Sequence, residues 1–184
     1  MTDEMVPKVP ARRTKDIDHL AYCTLVKAFI HPQNAFQPHA LANFFDRGGL
    51  TALGFEYDVR PLLGEEGKYD PADNCIILSE ETYEGLCMDK PRAKFTLAHE
   101  LGHGVLHGSF LRLPPEGRKR HQTFKRTTLP AYLDPEWQAN AFAGSFLMPT
   151  PLMLQMIREG ASDRKIADYF GVSVQAAQVR RKKL

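Results

Sequence analysis

Two histidines and a glutamate stand at a spacing that suits metal chemistry. In the stretch KFTLAHELGHGVLHG, His99 and His103 are four positions apart and Glu100 follows the first of them. Because residues four apart lie one above the other on an α-helix, both imidazoles can bind one ion. Glu100 then lies beside that ion, where it can take a proton from water that zinc has acidified. The pattern predicts a zinc-dependent hydrolase with His99 and His103 as ligands and Glu100 as general base.

The alternative interpretation is a core helix whose histidines are hydrogen-bonded, because so short a motif also arises by chance. An apolar stripe along the predicted helix consists of Ala98, Leu101, Gly102, Val105 and Leu106. A core helix would have to tolerate three histidines and a glutamate on about half of its surface. Gly102 and Gly104 cost about 1 kcal/mol each in helix propensity, but they permit close approach of backbone or substrate. These features favour the metal site.

A third ligand must come from another part of the chain, since a catalytic zinc needs three protein ligands and an open position. His107 lies eight residues beyond His99. That is about 12 Å along the axis, too far for a shared ion on a straight helix. Leu106 and Ser109 stand where the extended metzincin pattern needs glycine and histidine.

Glu136 is the best candidate for this third ligand. It stands near the start of the next strongly periodic helix, and Asn140 shares its face one turn later. Such a pair suits a metal ligand and a residue that orients a zinc histidine. Glu136 could alternatively serve only to favour a helix N-terminus. Asp134 is the fallback ligand, although its place before Pro135 suits helix capping better.

The elements that must position these residues indicate a mostly helical α+β fold. Apolar residues at helical spacing predict a helix from Ile17 to the His31-Pro32 pair, and a second helix fits 38–46. The alternating FEYDVRPL, with Phe55, Tyr57 and Val59 inward, and the apolar run CIILS predict two paired strands of a small sheet.

The metal-site helix is expected to begin after Asp89 as its cap, with Pro91 in the first turn, and to end at Gly108. The segment 109–133 has no clear periodicity and carries the basic cluster 118–126. Connections of this length are uncommon in a compact domain and are often functional. Regular structure resumes with the helix of Glu136 and a further helix that stops at Gly160.

The closing stretch predicts two short helices that meet at Gly171, with Ser173 capping the second, and the pair resembles a helix-turn-helix. A DNA-binding role needs base-reading side chains on the second helix, which offers Gln175 and Gln178 among valines and alanines. A packing pair whose basic end, 180–183, suits the helix dipole fits the sequence better. Nucleic acid is therefore the less favoured partner.

Three stretches are together similar to the ImmA/IrrE family of zinc metallopeptidases. They are FTLAHELGHGVLH (95–107), EWQANAFAGSFLMP (136–149) and IADYFGVSVQAAQVRRKKL (166–184). The resemblance covers residues 17–184 and implies a zincin-like, gluzincin-type domain. It implies that His99, His103 and Glu136 bind Zn²⁺ and that Glu100 is the general base. The glutamate and asparagine of the family's ExxAN motif fall on Glu136 and Asn140.

The resemblance also implies a function and a substrate class. It implies a protease that cleaves a helix-turn-helix repressor encoded nearby and so derepresses stress-response, mobile-element or prophage genes. The long basic segment departs from the family pattern. For stabilising the oxyanion, the sequence offers His107, His121 and Tyr132 without choosing between them. The alternative is a non-proteolytic regulator that binds DNA or a repressor partner, with an idle or structural metal site.

Domain organisation and bulk properties complete the expectations. We predict a flexible tail over 1–15, a metallopeptidase domain over 16–160 and a helix-turn-helix-like subdomain over 161–184. The 184 residues are 43% hydrophobic and 25% charged with a net charge of +2, which is ordinary for a globular protein and indicates no nucleic acid by itself. The lack of a long apolar run or secretory pattern, and three irregularly spaced cysteines interpreted as buried thiols, predict a cytoplasmic protein without a membrane partner.

Overall fold

Helices dominate the chain and a small sheet lies beside them. The computed structural model describes residues 5–7, 9–28, 40–113, 123–125 and 129–184, with the two three-residue ranges described by their backbone alone. The helices are α1 (Thr14–Ala28), α2 (Ala40–Asp46), α3 (Gly49–Ala52), α4 (Glu80–Cys87), α5 (Pro91–Leu111), α6 (Pro135–Leu147), α7 (Thr150–Arg158), α8 (Asp163–Phe170) and α9 (Val174–Arg181). The strands are β1 (Met5–Pro7), β2 (Glu56–Val59), β3 (Gly67–Asp70), β4 (Cys75–Leu78) and β5 (Thr123–Lys125). The predicted mostly helical α+β class is confirmed.

The packing of α5 against α6 forms the centre of the core. A Cβ atom at Gly102 of α5 would lie 3.1 Å from Phe142 Cδ1 and 3.2 Å from the carbonyl oxygen of Ala139 on α6. The missing side chain therefore lets the two helices approach closely. Phe142 and Phe146 are buried behind this contact, and each contributes about 2 kcal/mol of hydrophobic stabilisation. Helix α1 covers the other side of α6.

The sheet confirms the predicted pairing and adds a strand. Its order is β2-β4-β3, with β2 parallel and β3 antiparallel to the central, fully buried β4. Strand β3 was not predicted, because its residues Gly67–Asp70 show no alternation of apolar and polar side chains. The inward position predicted for Tyr57 is wrong, since its side chain is 40% exposed. It packs edge-on against Phe45, with ring centroids 4.8 Å apart, at the rim of the sheet.

Helix α5 differs from the prediction at both ends. Asp89 has φ 56°, and its carboxylate forms an ion pair with Lys94 Nζ at 3.0 Å. Lys90 therefore takes the N-cap position that we had predicted for Asp89. Gly108 does not end the helix, which continues to Leu111. A Cβ atom at Gly108 would lie 2.7 Å from the Tyr69 hydroxyl, so the glycine serves helix–sheet packing.

Of the predicted flexible tail over 1–15, the described residues 5–7 and 9–15 make contacts with other parts of the chain. Strand β1 pairs antiparallel with β5, and Val9 is 2% exposed. The backbone N–H groups of Val9 and Arg12 donate to the carbonyls of Leu133 and Tyr132, at 3.4 and 3.2 Å. A single apolar residue between prolines carries no periodic signal, so these contacts could not be predicted from the sequence. The division of the chain at 160/161 stays a prediction.

Helices α8 and α9 meet as predicted. Gly171 has φ 60°, and Ser173 Oγ accepts a hydrogen bond from Ala176 N at 3.1 Å. Arg180 on α9 is 4% exposed. It forms hydrogen bonds with Asp18 of α1 and with residues at the junction of α6 and α7. Arg180, the first residue of the basic end 180–183, thus holds α8 and α9 against the rest of the fold.

The structure also bears on the predictions for the cysteines, for membrane spans and for two segments of the chain. Cys75 is buried, whereas Cys23 is half-buried and Cys87 is exposed, so the expectation of buried thiols holds for Cys75 alone. Among the described residues no helix is both long and apolar enough to cross a membrane. The end of the first predicted helix beyond Ala28 and the basic residues 118–120 lie outside the described residues.

We expect Arg180→Ala to lower the free energy of unfolding by about 3 kcal/mol, because removing one partner leaves the carboxylate of Asp18 uncompensated. Equilibrium urea denaturation measures this change. Arg158→Ala is the matched control: this exposed arginine ends α7, and its removal should change stability by less than about 0.5 kcal/mol. Equal small effects of both substitutions would contradict a structural role for Arg180.

Candidate metal centre

Three side chains from two helices bring one ligand atom each to a common point. His99, His103 and Glu136 offer atoms that all lie within 4.8 Å of one another. The two Nε2 atoms are 3.0 Å apart. Glu136 Oε2 lies 3.3 Å from His99 Nε2, and its Oε1 lies 3.2 Å from His103 Nε2. Tetrahedral zinc with bonds of about 2.0–2.1 Å separates its ligand atoms by roughly 3.3–3.4 Å, so the spacing fits such an ion.

Local structure explains how Glu136 reaches the two histidines. The Asp134 carboxylate accepts a hydrogen bond from the Glu136 backbone N–H at 3.0 Å, and Pro135 occupies the first position of α6. Asp134 is therefore the N-cap of α6 rather than the fallback ligand. The cap fixes Glu136 in the first turn, and the close α5–α6 packing places that turn opposite His99 and His103.

The charges of the site favour a bound cation. Hydrogen bonds from His103 and His99 hold the pKa of the Glu136 carboxyl far below its usual value, so the group is a carboxylate. Burial alone would lower the pKa of His99, but the hydrogen bond and charge of Glu136, together with the charge of Glu100, raise it. An anionic carboxylate between two imidazole nitrogens is suited to neutralising a divalent ion.

Glu100 faces the cleft from the same turn of α5. The cleft, here called the metal cleft, has a volume of about 460 Å³, and its lining includes His99, Glu100, Glu136 and Asn140. Burial raises the pKa of Glu100, and the charges of His103 and His99 oppose that rise. The Tyr69 backbone N–H of β3 donates to the Glu100 carboxylate. The sheet edge thereby fixes the position of the predicted general base.

Both histidines are held from behind by hydrogen bonds. His99 Nδ1 lies 3.1 Å from Asn140 Oδ1, as expected for the residue one turn after Glu136. His103 Nδ1 lies 3.2 Å from His107 Nδ1, and His107 Nε2 lies 3.2 Å from Gln138 Oε1. Such partners orient metal-binding imidazoles and strengthen the ligand atom on the opposite side of the ring.

The end of this network fixes the direction of every hydrogen bond in it. Gln138 Nε2 donates to the carbonyl oxygens of Pro10 and Tyr132, at 3.0 and 2.8 Å. Because its amide hydrogens are used there, Gln138 Oε1 must accept from His107 Nε2–H. The Nδ1 atom of neutral His107 is then an acceptor, so His103 must carry its proton on Nδ1. The lone pair of His103 Nε2 is thereby available to a bound ion, in whose absence this nitrogen hydrogen-bonds with Glu136.

The three residues predicted to stabilise an oxyanion differ in their burial and surroundings. His107 is fully buried, and burial lowers its pKa to about 3, with the charge of His103 acting in the same direction. Because both ring nitrogens face protein partners, the predicted contact of His107 with substrate is wrong, and the residue instead supports His103. Tyr132 lies in a 3₁₀ turn, is 51% exposed, and stays a candidate. His121 lies outside the described residues.

Gln138 is the site residue that sequence reasoning missed. It is fully buried on α6, on the face that also carries Phe142. A glutamine on an apolar face must find a buried hydrogen-bond partner. His107 on the facing helix is such a partner. The sequence therefore contained both members of the pair, although the sequence could not show that they meet.

A His-Glu-x-x-His helix beside a glutamate from the next long helix defines the class of zincin-like metallopeptidase domains. Residues 65–182 match the peptidase M78 family model, which is described as the IrrE N-terminal-like domain. The match covers more than half of the chain, which therefore belongs to this family. The resemblance to ImmA/IrrE proteins is confirmed, and the family implies a bound metal.

The chain is also similar to one related protein and to one solved structure. The chain is 30% identical over 122 residues to the radiation response metalloprotease IrrE of Deinococcus radiodurans, a match that covers 62% of this chain and 32% of that protein. The chain thus matches about a third of the length of this relative. A solved structure of a Mycobacterium tuberculosis transcriptional regulator superposes with a TM-score of 0.55 at 16% identity, over 91% of this chain and 46% of that chain. This likeness supports the fold alone.

We expect His107→Leu to weaken zinc binding by about 10- to 100-fold, because His103 Nδ1–H loses the acceptor that orients the ring. Competition with a chromophoric chelator measures the affinity. His19→Leu is the matched control, since this exposed histidine lies on α1. If both variants bind zinc as tightly as the parent protein, the hydrogen-bond network does not orient the ligand.

Proposed function

We propose that the protein is a zinc-dependent endopeptidase in which His99, His103 and Glu136 bind the ion and Glu100 is the general base. The observation that carries this proposal is the convergence of the three ligand atoms at tetrahedral spacing beside a cleft. Two imidazole nitrogens and one carboxylate are a ligand set of catalytic zinc sites with an open fourth position. The chain's place in the peptidase M78 family supports the same conclusion.

Each residue of the chain then has a defined task in peptide hydrolysis. When bound, zinc supplies a Lewis acid that polarises the scissile carbonyl and increases the acidity of the attacking water. Glu100 removes the proton of that water and delivers it to the nitrogen of the leaving amine. Its raised pKa suits a group that must hold the proton between these two steps. Asn140 and the His107–Gln138 pair keep the imidazoles of His99 and His103 oriented throughout.

We propose a helix-turn-helix transcriptional repressor as the substrate, cleaved to derepress stress-response, mobile-element or prophage genes. Membership of the family supports this, and the name of the Deinococcus radiodurans relative describes a metalloprotease of the radiation response. Since repressors act on the chromosome, this proposal places the protein in the cytoplasm.

The rival function, a DNA-binding regulator with an idle metal site, has less support from the C-terminal helices. Arg180 is buried in its contact with Asp18, and Arg181 Nε pairs with Asp163 at 2.7 Å. Lys183 Nζ lies 5.7 Å from the centroid of the Trp137 ring. These cations already have partners within the fold, which reduces the positive charge that α9 offers to phosphate groups.

We expect Glu100→Gln to bind zinc with unchanged stoichiometry but to lose at least about 100-fold in cleavage rate, because glutamine cannot accept the proton of the attacking water. The measurement pairs metal analysis with cleavage of a candidate repressor from a neighbouring reading frame. Glu84→Gln, an exposed glutamate of α4, is the matched control and should cleave normally. Undiminished cleavage by the Glu100 variant would remove the proposed mechanism.

A second expectation separates the protease from the DNA-binding rival. Protein purified free of metal should take up one equivalent of zinc in a titration, and its affinity for duplex DNA should stay in the weak, non-specific range. Fluorescence anisotropy at several salt concentrations measures the latter. Tight sequence-specific DNA binding that does not require zinc would favour the regulator instead.

A further inference from the structure

A second cavity lies directly beside the metal cleft. It has a volume of about 600 Å³ and runs between α6, α9 and the start of α5, and we call it the α6–α9 groove. Its apolar lining includes Phe95, Ala141, Gly144, Met148, Ala176 and Val179. Val179 is 48% exposed. Apolar side chains that face solvent in a concave surface are typical of a site that binds another molecule.

The groove and the metal cleft are continuous. Arg92, Phe95 and Asn140 line both of them. Asn140 also holds His99, so the groove opens at the position where a scissile bond would lie. A chain bound across the metal cleft can therefore continue into the groove without a break.

The length of the groove corresponds to a few peptide residues. Asn140 and Gly144 of α6 and its C-cap Met148 follow one another at intervals of four and line the floor of the groove. Eight residues of helix rise about 12 Å, whereas an extended peptide rises about 3.3 Å per residue. The groove thus accommodates three to four residues of an extended chain, by the same roughly 3.3 Å rise.

The side chains of the lining define which residues fit. Its charged members in the described part of the chain are Arg92, Arg180 and Lys183, and no carboxylate belongs to the lining. Arg92 is paired with Glu66 and Arg180 with Asp18, which leaves the floor apolar. The groove is therefore complementary to apolar side chains and unfavourable for lysine and arginine.

We propose that the α6–α9 groove binds the substrate on one side of the scissile bond and selects an extended segment with apolar side chains. The segment occupies roughly the second to the fifth residue from that bond, given the 3.3 Å rise of a strand. This inference rests on the proposed peptidase function. It assigns cleavage specificity to α6 and α9, so the helix pair that resembles a helix-turn-helix contributes a wall of the substrate site.

Gly144 provides a direct test. Apart from its chain neighbours and the backbone of its own helix, no atom of the described residues lies within 4 Å of the position that its Cβ would take, and it faces the groove in the interior of α6. Gly144→Leu should therefore fill the groove without disturbing the fold, and the change removes a glycine that disfavours helix by about 1 kcal/mol. Gln178→Leu is the matched control, because it adds a leucine at an exposed position of α9 that does not line the groove.

The probe is a defined mixture of synthetic 14-residue peptides, with products identified by mass spectrometry. We expect zinc-loaded parent protein to cleave peptides with apolar residues at these positions. Gly144→Leu should cleave them at least about 10-fold more slowly, and Gln178→Leu within about 2-fold of the parent rate. Equal cleavage and unchanged sequence preference in the leucine variant overturn the groove assignment while the peptidase function stands.

Two further readouts separate the remaining outcomes. Retention of the same peptides on immobilised parent protein tests binding in the groove independently of cleavage. If Gly144→Leu no longer retains peptides that the parent protein retains, the groove assignment is supported. Absence of cleavage in that case counts against the peptidase function alone. If the parent protein neither retains nor cleaves the peptides, the groove assignment and the peptidase function are both overturned. Light scattering that shows a dimer in the parent and a monomer in Gly144→Leu assigns the groove to a second copy of the chain and overturns the proposal.

Discussion

The contact between α5 and α6 across Gly102 is the constraint on which the site depends. One helix supplies His99 and His103, the other supplies Glu136, and their ligand atoms meet within 4.8 Å because no side chain separates the helices at Gly102. A larger residue there would meet Phe142 and the backbone of α6 and would push the carboxylate away from the imidazoles. The same contact carries the largest buried aromatic side chains of α6, so the hydrophobic core and the metal site are set by one interface.

Buried hydrogen bonds at this interface fix the tautomer and the orientation of a ligand histidine. The chain of hydrogen bonds from His103 through His107 to Gln138 leaves no choice of tautomer, since the amide of Gln138 is already committed to two backbone carbonyls. In a buried network each group must be satisfied, because an unpaired donor or acceptor costs about 1–3 kcal/mol. The requirement for satisfaction thus orients a ligand nitrogen before any ion arrives. The site is preorganised by the same rule that stabilises the fold.

The sequence predicted the local parts of this arrangement and missed those that depend on distant contacts. The helical state of the segment with His99 and His103 and the turn at Gly171 follow from local spacing and turn residues, and the structure has both, although the cap and the end of α5 differ from the prediction. The end of α5, the edge strand β3 and the buried state of Val9 depend on residues far away along the chain, such as Tyr69 against Gly108. The role of Gln138 belongs to the second group, because it appears only when α6 is placed against α5.

The ion pair between buried Arg180 and half-buried Asp18 bears on the minimal folding unit of this protein. The family match begins at residue 65, beyond α1, yet α1 supplies the carboxylate that compensates a cation on α9, and Pro10 supplies a carbonyl to Gln138. A fragment trimmed to residues 65–182 would leave Arg180 without the carboxylate of Asp18 and the Gln138 amide without the carbonyl of Pro10, beside the candidate metal ligands. The residues from Pro10 onward are therefore part of the folding unit that holds the candidate metal site, and expression fragments should retain them.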